Sequence, residues 1–183
     1  DFQGILGGDV TGNWNPSGTR PAAGPERSTA VALPRLVTPA DSEVTIPVAV
    51  TGAANKGIIS YQFDVHYDPS VIQPQETVVD IAGTASKGLT AIANASRPGI
   101  VRVVVYGALP IDTNGVLMNL RFTAVGAPGS VSPLTWENVM FNEGDPGAVV
   151  ADGQVELSAA APNQAELTGR VLNSMGQGVP NAR

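Results

Sequence analysis

The 183-residue chain contains no cysteine and a single histidine, His66. Without thiols there is neither a disulfide framework nor a thiolate metal site. One imidazole cannot build a multi-histidine zinc centre, so any metal would have to be a hard cation held by oxygens. Charged residues are scarce, at 14% of the chain, and their balance is acidic at −6. Binding a phosphate backbone needs clustered Lys and Arg that displace counterions, so nucleic acid is not an expected partner. No apolar run approaches the ~20 residues with which a helix crosses a bilayer, and the start lacks the basic-then-apolar order of a signal peptide, so membrane insertion is not expected. Aromatic residues are also few, with two Trp, three Tyr and four Phe from which to build a stacking platform for sugar rings. A chain that begins at Asp1 rather than Met reads as a processed or excised piece of a longer protein.

What is abundant is Gly, Pro, Val, Thr and Ala, and no segment sustains a 3.6-residue apolar period over three turns. That is an all-β composition. Residues 15–28, NPSGTRPAAGPERS, mix Pro, Gly, Ser and charge without an apolar face and read as a semi-extended linker, with residues 1–14 as the remnant of a preceding module. Beyond it, strand signals alternate with turn clusters. Strands are predicted at Ala30 to Val37, Glu43 to Thr51, Ile59 to Tyr67, Leu89 to Ala95, Ile100 to Ala108, Val116 to Val125, Val131 to Phe141 and Val149 to Leu157. In the third, Ile59, Tyr61, Phe63, Val65 and Tyr67 fall on one face and Ser60, Gln62, Asp64 and His66 on the other. Pro69 removes a ladder donor and ends that strand, Asp68 is free to bond its own turn, and Val71 and Ile72 re-enter the core. In the Val116 strand the same alternation puts Val116, Met118, Leu120, Phe122 and Ala124 together. The expectation is a sandwich of about nine strands in two packed sheets.

The pieces VTIPVAVTGAANKGIISYQFDVHYDPSVIQP, GIVRVVVYG, GVLMNLRFTAV and WENVMFNEGDPGAVVADGQVEL occur in an order that resembles the cohesin-type module throughout. The most specific of them is Gly57 followed by an alternating strand ending Tyr-Asp-Pro-x-x-Ile. The resemblance covers residues 29–160 and implies a nine-stranded jelly-roll β-sandwich with extended terminal segments. It also implies binding to another protein module, in the best-known members a dockerin, across one flat sheet face. On that pattern Gln62, Asp64 and His66 share a sheet with Arg102, Val104 and Tyr106 and form the expected protein-binding face. The opening GDVTGN is similar to the calcium loop of dockerins, with Asp9, Thr11 and Asn13 at its first, third and fifth positions; Arg20 stands at the twelfth, where a bidentate Glu is needed. The closing AELTGRVLNSMGQGVPNAR, within residues 161–183, resembles the first strands of a carboxypeptidase-regulatory-like module. A lone hairpin is marginal in water, so Leu167, Val171, Leu172 and Val179 require a partner surface, in the rest of such a module or by strand addition to this domain or a neighbouring copy.

No catalytic constellation is expected. His66 stands on the polar side of its strand, no nucleophile motif surrounds any serine, and Glu137, Glu143, Asp145 and Asp152 sit near turns. No cofactor is implied. Ca²⁺ is the one ion for which ligands exist, at Asp9 and Asn13 or in the compact loop with Asn142, Glu143 and Asp145. Trp136 and Tyr106 are the aromatics whose side cannot be assigned by parity. The leading expectation is a non-catalytic interaction or scaffolding module of a multidomain extracellular or cell-surface bacterial protein. The alternatives are a fibre subunit assembled by strand addition, with copies of itself as partners, and a carbohydrate-binding module.

Overall fold

Strand-forming residues set the architecture throughout. The computed structural model describes residues 28–159, and these form eleven strands with no helix among them. In chain order they are β1 (Ser28–Ala32), β2 (Arg35–Pro39), β3 (Glu43–Thr51), β4 (Ile58–His66), β5 (Ile72–Asp80), β6 (Thr90–Asn94), β7 (Ile100–Ile111), β8 (Gly115–Ala124), β9 (Val131–Phe141), β10 (Gly147–Ala151) and β11 (Gly153–Ser158). One sheet has the order β10-β1-β3-β8-β5 and the other β2-β11-β9-β4-β7-β6. Residues 1–27 and 160–183 lie outside the described region, and with them Asp9, Thr11, Asn13, Leu167, Val171, Leu172 and Val179.

Eleven strands stand against the eight segments predicted individually, within an expected total of about nine, for two physical reasons. The segments read as single strands at Ala30 to Val37 and Val149 to Leu157 are each two strands that pass from one sheet to the other. Pro34 has no N–H, so the ladder of β1 stops there and the chain crosses over as β2. At the same level β10 crosses over as β11, and the two crossings are bonded together, Leu33 N donating to Ala151 O and Gln154 N to Pro34 O, both at 3.0 Å. β1 and β10 are therefore parallel neighbours in one sheet, and β2 and β11 are parallel neighbours in the other. The remaining additional strand is β5, which contains Pro74. It lies at a sheet edge, where a missing donor is tolerated, and it leaves its partner β8 between Pro74 and Val79 before rejoining it.

The core lies between the sheets. Phe122, Leu120, Met118, Ile46 and Val48 meet Phe63, Val65, Val101, Val103, Leu134 and Val155, all buried. Each such side chain contributes roughly 1.5–3 kcal/mol of transfer free energy. The predicted alternation holds for Tyr61, Phe63, Val65 and Tyr67 and fails at Ile59 and Val116, both of which are exposed. Each failure sits beside a bulge. The pairing of β4 with β7 slips between Ile58 and Ser60, turning Ile58 inward, and that of β3 with β8 slips between Val48 and Ala49, turning Leu117 inward. The turn after β4 behaves as expected: Asp68 Oδ1 accepts from Ser70 N at 2.8 Å and Ser70 Oγ at 2.6 Å.

Gly153 is the tightest point of the double crossing. A Cβ there would lie 2.3 Å from Pro34 O and 2.8 Å from both Leu33 C and Leu33 Cβ, two of them backbone atoms that cannot rotate away. Gly153→Ala is therefore expected to destabilise the domain by about 1–3 kcal/mol or more. Urea unfolding is the check; Gly153 does not have a positive φ, so the loss reports the steric clash rather than backbone strain.

Candidate protein-binding face

The solvent face of the six-stranded sheet is built by register. β4 and β7 are antiparallel, with Ser60 opposite Tyr106, Gln62 opposite Val104 and Asp64 opposite Arg102. β6 extends the same rows, placing Thr90, Ile92 and Asn94 beside Tyr106, Val104 and Arg102. On the other side β9 brings Met140 to Gln62, Glu137 to Asp64 and Thr135 to His66. The six residues predicted from sequence therefore do share one face.

Two neighbouring rows differ in chemistry. The first runs Ile92, Val104, Gln62, Met140; its three apolar members and Tyr106 retain between 37 and 55% of their exposure, a concentration of apolar surface in a chain with few aromatics. The second runs Asn94, Arg102, Asp64, Glu137 and is polar throughout. Asp64 is the exception to the expected exposed polar face, being only 2% exposed. Arg102 lies over it as a bidentate partner, Nε and Nη2 each donating at 2.8 Å, and Asn138 Nδ2 donates to Oδ2 at 2.9 Å. His66 Nε2 and Glu137 Oε2 pair at 2.6 Å alongside. Between the rows is a shallow recess of about 270 Å³ lined by Gln62, Asp64, Arg102, Val104 and Asn138.

Asn138 reaches Asp64 because β9 bulges. The pairing of β4 with β9 slips between Gln62 and Asp64, and Asn138 takes a positive φ of 55° that Asn tolerates better than most residues. Sequence reasoning missed Asn138, Glu137, Ile92 and Met140. Ile92 had a signal, an isolated large apolar residue between Ala91 and Ala93 at alternate positions. Asn138 had none, because a bulge is a property of the pairing.

The structure corrects one predicted ligand. Asn142 was a candidate for Ca²⁺, but its Oδ1 accepts from Ile59 N at 3.0 Å and Ser60 N at 3.2 Å, and its Nδ2 donates to Gly57 O and Asp145 O. The amide is a clamp across the β4 bulge, and its oxygen faces N–H donors. Among the described residues no group of three or more His, Cys, Asp or Glu gathers in a way that would hold a metal. Trp136 is resolved as well. Its ring meets Phe63 edge-on at 5.1 Å and its Nε1 donates to Ala151 O, so it packs inward, while Tyr106 is exposed.

The Arg102 guanidinium holds the Asp64 carboxyl below the usual carboxylate range, against the effect of burial and with help from Asn138. A depressed folded-state value means that the stabilisation is present above the ordinary carboxylate pKa of about 4 and is lost as pH falls through the lowered value. Asp64→Asn should lower stability at neutral pH by about 1–3 kcal/mol and reduce the loss of stability on acidification. Urea midpoints from pH 7 to pH 2 test this; parallel curves for the two proteins would show that the pair contributes nothing.

Comparison with known proteins places this geometry. The cohesin-domain family profile matches residues 29–157. Among solved structures, the seventh type I cohesin of ScaB from Pseudobacteroides cellulosolvens is 20% identical with a TM-score of 0.62, covering 74% of this chain and 96% of its own. The third cohesin of ScaC from Acetivibrio cellulolyticus, solved with the ScaB dockerin, is 21% identical with a TM-score of 0.60 over 72% of this chain and 99% of its own. A non-cellulosomal cohesin from the archaeon Archaeoglobus fulgidus is 16% identical with a TM-score of 0.60 over 72% and 92%. No curated protein matches. With 129 consecutive residues matched by one family profile, spanning both sheets of the sandwich, the chain belongs to the cohesin family.

Proposed function

We propose that this chain is a non-catalytic interaction module that captures another protein module, of dockerin type, on the face formed by β6, β7, β4 and β9. The observation that carries the reading is the exposed apolar row of Ile92, Val104 and Met140, with Tyr106 beside it, adjoining a polar row already locked by Arg102, Asp64 and Asn138. An apolar centre with a polar margin is how a protein-binding patch is organised. Arg102 and Asp64 enter the complex pre-paired, so the face loses little side-chain freedom on binding. The dockerin seen with the Acetivibrio cellulolyticus cohesin names the kind of partner to try first. The proposed setting is a multidomain scaffolding protein outside the cell or on its surface, which is what the resemblance to cohesins implies. A carbohydrate-binding role is not favoured: Trp136 is packed against Phe63, and Tyr106 alone does not make a stacking platform.

The test is calorimetry of the chain against a panel of dockerins. Tight, salt-sensitive binding to at least one member is expected, and Val104→Asp should weaken it tenfold or more by putting a charge in the apolar row. Tyr106→Ala should weaken it by a smaller factor. No binding to any member, or binding indifferent to Val104→Asp, sinks the assignment of this face.

A further inference from the structure

A sandwich has four edge strands, and here they are defended unequally. β2 begins at Arg35 after Pro34 and ends at Pro39. β5 contains Pro74, carries Glu76 and Asp80, and breaks away from its ladder. β6 bounds the candidate protein-binding face, with Ala91 and Ala93 packed against the core. β10, like β6, contains no charge and no proline within the strand, the usual devices that stop an edge from pairing with another chain, although Pro146 directly precedes it. Unlike β6 it does not bound the candidate face. It is also unfinished on both faces. Val150 shares the core side with its register partner Val31, which is buried, yet Val150 is 46% exposed; Val149, on the outer side, is 55% exposed. One more strand beside β10 would cover both.

We infer that the β10 edge takes up residues 166–172 of a second copy of this chain as an added strand. The segment ELTGRVL has the required pattern: extended, it places Leu167 and Val171 on one side, for the core face beside Val150, and Thr168 and Arg170 on the other. Charge is neutral to the pairing: within the segment Glu166 and Arg170 offset each other, and Asp145 and Asp152 flank β10. Reach favours a second copy over the same chain. β11 carries the backbone six residues, about 20 Å, away from the crossing beside β10. Residues 159–165 span at most ~24 Å when fully extended, almost all of it consumed by that distance and the ~10 Å between sheets. The contact joins two different surfaces of the same molecule, so it propagates head to tail.

Sedimentation velocity on the full chain and two variants tests the inference. Val149→Lys blocks the edge and keeps the tail; a chain ending at residue 161 keeps the edge and lacks the tail. Circular dichroism and melting check that both retain the sandwich. The full chain should associate increasingly with concentration, and each variant alone should be monomeric, with association at least tenfold weaker. An equimolar mixture of the two variants should form a 1:1 heterodimer that grows no further, since it pairs one tail with one edge. A full chain that remains monomeric across the concentration range, a truncated chain that still associates, or a mixture that stays monomeric would each overturn it.

Discussion

The parallel pairing of the first two strands with the last two is the constraint on which the rest of the fold depends. β1 and β2 lie along β10 and β11, and both pairs change sheets at the same level, where Pro34 ends one ladder and Gly153 permits backbone contact. Segments more than a hundred residues apart in sequence are thereby bonded at the point where the two sheets meet. The pairing positions β11 against β9, and β9 against β4, which places the β9 side of the candidate face. It also leaves β10 at an edge of the other sheet, because β1 is the only neighbour it acquires by crossing.

Function on such a scaffold resides in side chains that the sheet holds in fixed rows. Asp64 illustrates how rigidity is obtained without catalysis. Its carboxylate is nearly covered, yet it accepts two bonds from Arg102 and one from Asn138, so its burial is compensated by charge-assisted hydrogen bonds. The aliphatic row beside it has no such commitments and is the part of the surface that gains most from being covered. The two bulges at β4 serve this arrangement. The slip against β9 delivers Asn138 to Asp64, and the slip against β7 is clamped by Asn142 across the strand end.

The candidate site was partly legible in the chain. Alternation alone placed Gln62, Asp64 and His66 on one side of β4, and the family resemblance supplied the partner strand with Arg102, Val104 and Tyr106. Parity is reliable wherever the ladder is regular, because successive side chains must point to opposite faces. It gave the wrong side for Ile59 and Val116, where a bulge inserts a residue and resets the alternation. The same limit applies to Trp136, whose inward orientation follows from contact with Phe63 and Ala151 on other strands.

By itself the sequence determined that the protein is all-β, that it has no cysteine or multi-histidine chemistry, where most strands run, and which aromatics fill the core. These are consequences of composition and two-residue periodicity, properties that act over a few neighbouring residues. Only the tertiary structure decided that two apparent strands are four, that Asp64 is covered, that Asn142 clamps backbone, and that β10 is an uncharged edge with a half-exposed valine on each face. Each of these depends on which strand lies beside which, and pairing between distant segments is fixed by packing of the whole sandwich.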